Sequence, residues 1–378
     1  MNTEPVSNIK AGALVWDLPT RIFHWLLVLS FTAAWLSHDD NRYLDVHVYM
    51  GYLFLGLLVF RLAWGLVGSH YSRFHSFAYD WSSVWSYLGA LASGRASRYL
   101  GHNPAGSWAI FLLIVLGFVV SLLGIVVFGA EEGHGPLANM FSFAVSAIAR
   151  EAHEISAWLM LAVVCAHILG VIVESLVHRE NLIWAMVTGY KQQDGTAPSL
   201  VSRHGTVGVL LFMSALGFMA FSFRGYLTET AGQQYRPFTG PALPENAVWR
   251  EVCGECHLAY YPTLLPARSW QKMMQDQADH FGEDLGMDNA LVTNILTFLT
   301  ANSAESHLTE TAWKVDISTP AEEIPLRVTE TPYWQKKHKK IPERYWKHEQ
   351  VTAKGNCEGC HLDAKEGTFE DAAMRLPE

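Results

Sequence analysis

The sequence predicts an all-α membrane protein that ends in a separate soluble domain, and three observations support this class. Hydrophobic residues make up 50% of the 378 residues, more than most soluble domains contain. They are concentrated in five apolar runs, each close to the roughly 20 helical residues that cross a hydrocarbon core. After Arg224 these runs give way to a polar and apolar mixture that is long enough for one ordinary domain.

Each apolar run predicts one transmembrane helix. We place the helices at about residues 22–38, 46–67, 108–129, 154–176 and 205–223. The first four define a membrane domain at 1–203, and the fifth occupies 204–224. Residues 225–252 contain Pro237, Pro241 and Pro244, and they predict a semi-rigid linker. The C-terminal domain then covers 253–378.

The distribution of charge predicts the orientation in the membrane. The net charge of −9 arises mainly after Arg224, and an acidic domain has no electrostatic reason to bind nucleic acid. Basic residues cluster at the N-terminal flank and after the second and fourth spans, whereas the other loops carry Asp39, Asp45, Glu131 and Glu132. The positive-inside rule predicts a cytoplasmic N-terminus, held by an uncleaved first span. Five crossings then place the C-terminal domain on the periplasmic side.

The C-terminal domain contains two copies of the pattern Cys-x-x-Cys-His. The six residues are Cys253, Cys256, His257, Cys357, Cys360 and His361. The pattern is typical of covalent c-type haem attachment, with two thioethers and an axial imidazole. A zinc site, a redox dithiol and a disulfide are the alternatives, and two complete copies on the export side favour haem. The fifth cysteine, Cys165, is expected to be a small buried side chain within the fourth span.

Each c haem needs a second axial ligand. The candidates in the domain are His280, His307, His338, His348, Met273, Met274, Met287 and Met374.

Four histidines, His24, His47, His153 and His167, lie within the predicted spans or at their start, where an ionisable side chain is costly and usually functional. His153 and His167 are 14 residues apart on the fourth span, which puts them on one face and roughly 21 Å apart along the helix. Depth in the membrane pairs His24 with His167 and His47 with His153. These pairs predict two bis-histidine b haems, one near each leaflet. Of the other histidines, His102 is expected to be structural or to lie at the level of the lipid headgroups, and His134 is expected to be solvated.

Four stretches of the N-terminal half, "WDLPTRIFHW", "RLAWGLVGSHYSRF", "RYLGHNPAG" and the segment that begins "HEISAWLMLAVVCAHILG", resemble the bacterial cytochrome b561 family. That family includes the cytochrome b subunits of nickel-iron hydrogenases. The resemblance covers about residues 12–192. It implies four transmembrane helices that hold two b haems through His24, His47, His153 and His167.

The C-terminal stretches "CGECHLAYYPTLLPARSWQKMM", "DHFGED", "PYWQKKHKKIP" and "NCEGCHLDAKEGTF" resemble a second family, the small dihaem cytochromes c, over about residues 247–376. Both haems of that family have two histidine ligands. The resemblance therefore implies that His280 and His338 are the distal ligands, and it leaves open which motif each one serves.

These features together predict a four-helix transmembrane di-haem b bundle, a fifth transmembrane helix and a mostly α-helical and irregular dihaem cytochrome c domain in the bacterial inner membrane. The expected cofactors are two haem b and two haem c, with iron bound by the eight histidines named above. The expected function is electron transfer between the membrane quinone pool and a periplasmic electron-transfer protein, an activity of the quinol:cytochrome c oxidoreductase type. No separate catalytic residues are predicted.

Two other functions are consistent with the same motifs. One is a superoxide:quinone oxidoreductase, in which electrons enter from superoxide. The other is a haem-based gas-binding or sensing module, which requires an open axial position on one iron. The sequence leaves open the direction of electron flow, the position of the quinone site and whether the chain forms a homo-oligomer.

Overall fold

The computed structural model describes residues 12–39, 43–138, 140–192, 201–224 and 242–377, and these residues are mostly helical. They form two compact units. The first contains the described residues of 1–39, 45–124 and 149–228, and the second contains those of 40–44, 125–148 and 229–378. Most of the predicted linker, residues 225–241, lies outside the described residues.

The first unit is built on five long helices: α1 (Leu18–Leu36), α2 (Leu44–Val67), α4 (Pro104–Glu131), α5 (Phe143–Val177) and α7 (Gly205–Ser222), of which α4 and α5 also continue into the second unit. Two shorter helices, α3 (Trp81–Ala92) and α6 (Leu182–Thr188), lie between them in the chain. Among the described residues, α2, α4, α5 and α7 are long and apolar enough to cross a membrane.

The first predicted span is the exception to this hydropathy criterion. Helix α1 has 19 residues and contains Arg21 and His24, which lower its mean hydropathy. Its Phe23 and Leu26 belong to one buried cluster with residues of α2 and α7. Asp17 caps the helix by accepting a hydrogen bond from the backbone N–H of Thr20 at 3.0 Å. Packing, rather than hydropathy, is therefore the evidence that α1 belongs with the membrane helices.

Helix α5 is much longer than the span predicted at 154–176. Its 35 residues extend over about 52 Å, whereas a hydrocarbon core is about 30 Å thick. The first turns of α5 contain Arg150 and Glu151, so hydropathy alone places the start of this helix too late. The residues of α5 before 149 belong to the second unit.

A two-stranded antiparallel sheet joins the two ends of the cytochrome b561-like region. Strand β1 (Gly12–Leu14) pairs with β2 (Tyr190–Gln192), with Gly12 opposite Gln192. Gly189 ends α6 with a φ of 90°, and a Cβ there would lie 2.6 Å from the carbonyl oxygen of Trp16. Only glycine fits this turn.

The second unit contains short helices around its own core. They are α8 (Ala247–Cys253), α9 (Ala267–Gln275), α10 (Asn289–Ala301), α11 (Glu310–Ser318), α12 (Pro332–His338) and α13 (Glu343–Trp346). The core includes Trp249, Tyr261, Trp270 and Ile295. Trp249 is 1% exposed, so the packed domain includes α8 and begins before residue 253, within the segment predicted as linker.

Candidate haem sites

The first histidine pair lies between α2 and α5. The ring centroids of His47 and His153 are 6.0 Å apart. The Nδ1–H of His47 donates to the carbonyl oxygen of Ala34 at 2.8 Å, and that of His153 donates to the carbonyl oxygen of Val120 at 2.9 Å. These bonds orient both rings and leave each Nε2 available to bind a metal.

The second membrane pair consists of His24 on α1 and His167 on α5. The two imidazoles lie close enough to interact electrostatically. The Nδ1 of His24 is buried and has no hydrogen-bond partner among the described residues. Because His153 and His167 are 14 residues apart on α5, the two pairs lie at two levels of the same bundle.

The first Cys-x-x-Cys-His motif begins at the last residue of α8. Cys253 ends this helix, and His257 follows after one turn. The ring centroids of His257 and His280 are 6.3 Å apart, with 25° between the ring planes. The Nδ1–H of His257 donates to the carbonyl oxygen of Leu258 at 2.8 Å. The structure therefore brings His280, and not His338, to the first motif.

The second motif forms a tight turn in which the backbone N–H of His361 donates to the carbonyl oxygen of Cys357 at 2.8 Å. The ring centroids of His361 and His338 are 6.2 Å apart. His338 lies on α12, donates through Nδ1–H to the carbonyl oxygen of Trp334 at 2.8 Å, and stacks on the ring of Trp334 at 4.3 Å. The Nδ1 of His361 is buried without a hydrogen-bond partner in the described part of the chain.

The three measured separations fit an iron held between two imidazoles. A metal–nitrogen distance of about 2.0–2.1 Å, plus about 1.1 Å from nitrogen to ring centre, gives roughly 6.2 Å between the two centroids. Among the described residues, no group of three or more His, Cys, Asp or Glu side chains is arranged to hold a metal ion. Two imidazoles alone do not complete a coordination shell. A haem fits these pairs because its porphyrin supplies the other four nitrogens.

Three of the four motif thiols differ from a reactive dithiol, which needs a lowered pKa. Burial raises the pKa of Cys253 and of Cys357 to about 11, and it also raises the pKa of Cys360. All five cysteines lie in the described residues, and none forms a disulfide. Cys165 is exposed on α5, so the prediction that it is buried was wrong; it lies on the outer face of the bundle.

Three imidazoles at the two Cys-x-x-Cys-His sites are held in the neutral form that can bind a metal. Burial lowers the pKa of His280 and of His338, and burial together with the nearby His338 lowers the pKa of His361 to about 4. These rings are neutral near pH 7, and neutral imidazole is the metal-binding form.

The other candidates for distal ligands have different contacts. His307 is bonded through Nε2 to Asp316 at 2.7 Å, and the Nδ1 of His348 accepts from the backbone N–H of Gln350 at 3.3 Å. Met274 and Met287 are buried in the core of the second unit, and Met273 packs against it. Met374 forms a backbone bridge with His361 itself.

Several residues that shape these sites were not predicted from the sequence. Gly124 of α4 faces His153, and a Cβ there would lie 3.1 Å from the Cε1 atom of that ring. Gly117, seven residues earlier, leaves room for Phe54 and Leu58. Two glycines at heptad spacing in an apolar helix are the signal that predicts a closely packed face. His134 is buried beside Phe128, so the prediction that it is solvated was wrong.

Comparisons with known proteins divide the chain in the same way. Residues 15–189 match the family model described as prokaryotic cytochrome b561, and residues 249–369 match the model described as dihaem cytochrome c.

Curated relatives resemble the first region. A protein named "Probable Ni/Fe-hydrogenase B-type cytochrome subunit" from Cupriavidus necator is 27% identical over 217 residues, which is 49% of this chain and 88% of the relative. A protein of the same name from Azotobacter chroococcum is 26% identical over 48% of this chain and 89% of the relative.

Solved structures resemble the second region. A diheme cytochrome c from Rhodobacter sphaeroides is 35% identical, with a TM-score of 0.30, and the match covers 34% of this chain and 100% of that protein. A diheme cytochrome c from Shewanella baltica is 27% identical, with a TM-score of 0.29, over 36% of this chain and 95% of that protein.

Proposed function

Because residues 15–189 belong to the prokaryotic cytochrome b561 family and residues 249–369 to the dihaem cytochromes c, we propose that this chain transfers electrons between the membrane quinone pool and a periplasmic acceptor protein through two b haems and two c haems. The chain is a multi-pass membrane b-type cytochrome with a dihaem c domain, and its function is electron transfer. The quinone, the acceptor, the number of haems and the sidedness are parts of the proposal.

One observation carries the proposal: imidazole rings face one another at 6.0, 6.3 and 6.2 Å in three separate pairs. His24 and His167 provide the fourth pair. A bound haem supplies a one-electron couple at its iron, and axial ligation and burial tune its potential. Each histidine pair would supply both axial ligands of a haem iron, and this would favour electron transfer over gas binding.

The residues of the chain would hold and orient these groups. His47 and His153 would bind one b haem, and His24 and His167 the other. The two thiols of each Cys-x-x-Cys-His motif would form thioethers, so that a c haem stays attached even when an axial bond breaks. Backbone carbonyl oxygens accept hydrogen bonds from Nδ1–H of His47, His153, His257 and His338, and these bonds would hold the rings in the orientation that binds a haem iron.

A chain that holds haems at these histidine pairs would exchange electrons with another redox protein. The curated relatives are named as hydrogenase cytochrome subunits, so they work beside another redox protein. We propose a periplasmic electron-transfer protein as the corresponding partner of the c domain.

The purified full-length protein tests this function by two measurements. Iron analysis should give about four irons per chain. Haem analysis should show that two of the four haems are covalently attached. A short-chain quinol should reduce both the b haems and the c haems in the same sample, as followed by their absorption bands. Carbon monoxide should leave both sets of bands unchanged. If dithionite reduces the haems and quinol does not, the quinone part of the proposal is wrong. If superoxide drives quinone reduction, the direction of flow is the reverse.

A further inference from the structure

Helix α3 has an exposed apolar face in addition to its buried one. Trp81, Trp85 and Leu88 are 55%, 61% and 38% exposed. They are spaced four and three residues apart, so they lie within about 60° of one another around the helix. Val84 and Tyr87, on a neighbouring face, are buried. Helix α3 therefore packs within the first unit through one face and leaves a second apolar face exposed.

The position of α3 in the chain indicates what covers the exposed face. The helix lies between two membrane spans, α2 and α4. The Trp81 ring contacts that of Trp108 at 5.0 Å, and the Trp108 indole N–H donates to the carbonyl oxygen of Tyr79 at 3.0 Å. Trp108 comes four residues after the start of α4 at Pro104, so α3 begins beside the end of a span. Exposed tryptophans concentrate where hydrocarbon chains meet lipid headgroups, which indicates that lipid covers this face.

A hydroxyl-rich pocket, the α3 pocket, lies on a different side of the same helix. Its volume is about 330 Å³, within the range of roughly 300–1,000 Å³ for ordinary ligand sites. Its walls include Ser82, Ser83, Ser86 and Ser97. Ser86 lies about 140° around the helix from Trp81, so the serines and the exposed tryptophans occupy separate faces. A lipid that covers the apolar face can therefore place its headgroup beside the serines.

Two of these serines are available to a ligand. The hydroxyls of Ser82 and Ser83 donate to the carboxylate of Asp80. Those of Ser86 and Ser97 have no hydrogen-bond partner in the described part of the chain, and both residues are exposed. A serine hydroxyl can donate to a phosphate oxygen and accept from a hydroxyl group. The pocket thus offers hydrogen bonds that match a phosphate carrying further hydroxyls.

One positive charge beside the pocket is not neutralised by the protein. Between α2 and α4 the chain contains three arginines and a single acidic residue, Asp80. Arg98 forms a bidentate pair with Glu180 at 2.8 and 3.1 Å. Arg95 is exposed and has no ion-pair partner among the described residues. Its backbone N–H donates at 2.8 Å to the carbonyl oxygen of Ala90, which lines the pocket about 15 Å of helix beyond Asp80.

We propose that α3 lies in the membrane interface and that the α3 pocket binds the glycerol headgroup of an anionic phospholipid. Arg95 pairs with the phosphate, and Ser86 and Ser97 form hydrogen bonds with the phosphate oxygens and the glycerol hydroxyls. The acyl chains of the same lipid cover the exposed tryptophans. A choline headgroup has no hydrogen-bond donor and carries a compensating positive charge, so it fits the pocket less well.

A lipid bound in this way would stabilise the membrane domain through α3. The Tyr87 hydroxyl of α3 donates to the Glu174 carboxylate of α5. Glu174 lies two turns after His167 on the same helix. Holding α3 in place therefore supports the part of α5 that carries one of the deeper histidines, and we expect the lipid to raise the unfolding temperature.

Photolabelling of the haem-loaded full-length protein tests the site in nanodiscs of phosphatidylcholine. A small fraction of phosphatidylglycerol with a photoreactive headgroup should label peptides that contain residues 82–99. Additional phosphatidylglycerol should compete with the label, whereas additional phosphatidylcholine and soluble glycerol 3-phosphate should not. A label that maps elsewhere would overturn the proposal. Equal competition by phosphatidylcholine or by glycerol 3-phosphate would also overturn it, because the site would then not select an anionic lipid.

A double variant tests the named contacts. Ser86→Ala with Arg95→Gln should raise about tenfold the phosphatidylglycerol concentration that gives half-maximal thermal stabilisation. Ser93→Ala with Arg344→Gln is the matched control, because the Ser93 hydroxyl already donates to the carbonyl oxygen of Gly89 at 3.0 Å and Arg344 is exposed in the second unit. This control should behave as the wild type. If the two double variants respond equally to the lipid, the assignment is wrong. Should the first one lose haem, labelling of the wild type decides.

Discussion

At the scale of single residues, the imidazoles are the informative groups, because backbone carbonyl oxygens orient the rings of His47, His153, His257 and His338. His338 is held twice, by the carbonyl oxygen of Trp334 and by stacking on the Trp334 ring. His280 is held by its position in a turn, where its backbone N–H donates to the carbonyl oxygen of Glu283 at 2.7 Å. The ring of His338 is therefore held by side-chain contacts, whereas His280 is positioned through its backbone.

His280→Ala or His338→Ala should each make one c haem high-spin and open it to carbon monoxide. The thioethers keep the haem in place, so the covalent haem content should stay at the wild-type value and the b haems should be unaffected. Absorption spectra with and without carbon monoxide provide the measurement. His307→Ala is the control, because His307 is bonded to Asp316 rather than to another histidine. A low-spin, unreactive His280→Ala or His338→Ala variant would show that another side chain is the ligand.

A second residue-scale feature is the buried carboxyl pair Glu132 and Glu370, whose side chains are hydrogen-bonded within the second unit. Glu132 is 7% exposed and Glu370 is 6% exposed. Burial and nearby acidic groups raise the pKa of Glu132 well above its ordinary value of 4.5, and burial raises that of Glu370 to about 8. The folded pair therefore keeps a proton that the unfolded chain releases.

This pair should make the second unit less stable as pH rises. Both folded pKa values lie above the unfolded value of 4.5, so the stabilising proton is fully present below that pH and is lost as the pH approaches about 8. The unfolding temperature should fall across this window. Glu132→Gln should flatten the dependence, since an amide cannot ionise and can donate to Glu370, whereas Glu322→Gln, at an exposed carboxylate, should keep it. Equal slopes in wild type and Glu132→Gln would contradict this prediction.

At the scale of elements, helix α4 approaches α5 closely only because Gly124 lacks a side chain. A Cβ at Gly124 would lie 3.1 Å from Cε1 and 3.3 Å from Nδ1 of His153. The same ring donates to the carbonyl oxygen of Val120, one turn earlier on α4. The position of the His47 and His153 pair thus depends on α4, which contributes neither histidine.

Gly124→Val should remove the b haem of the His47 and His153 pair. The branched side chain would displace the His153 ring, so about half of the non-covalent haem should be lost while the covalent haem content does not change. Pyridine haemochrome spectra measure both contents. Gly170→Val is the matched control, because a Cβ at Gly170 on α5 meets no atom within 4 Å. If both variants keep the same b-haem content, the pairing of His47 with His153 around one haem is wrong.

Elements also show what periodicity and hydropathy can predict. The apolar runs predicted α2, α4 and α7 to within a few residues, because a membrane helix is specified by its own composition. They did not predict the start of α5 at Phe143, the interfacial helix α3 or the pairing of β1 with β2. Each of those depends on contacts with distant residues, as with the three-residue strands that pair Gly12 with Gln192.

At the scale of the whole molecule, the sequence predicts the types of group that bind haem better than it predicts their partners. The two Cys-x-x-Cys-His motifs are local and could be read directly. The assignment of His280 to the first motif and of His338 to the second could not be predicted in this way. The two histidines of each pair are 23 positions apart in the sequence, and only the folded chain brings their rings together.

The side of the membrane on which the c domain lies depends on α1. Four helices in the described part of the chain meet the hydropathy criterion, and an even number of crossings would leave both termini on one side. We expect α1 to cross as well, because Phe23 and Leu26 pack with α2 and α7, and because His24 interacts with His167 of a membrane helix. Five crossings put the termini on opposite sides, which agrees with the positive-inside rule.

Protease protection in spheroplasts tests this topology, with one epitope tag at each end of the full-length protein. External protease should remove the C-terminal tag and spare the N-terminal one until the membrane is broken. Covalent haem provides an independent check, since attachment to Cys253, Cys256, Cys357 and Cys360 is expected only after export. Protection of both tags, with no covalent haem, would mean that α1 does not cross. Electrons from the b haems would then have no route through this chain to a periplasmic acceptor, and the proposed direction of transfer across the membrane would fail with the topology.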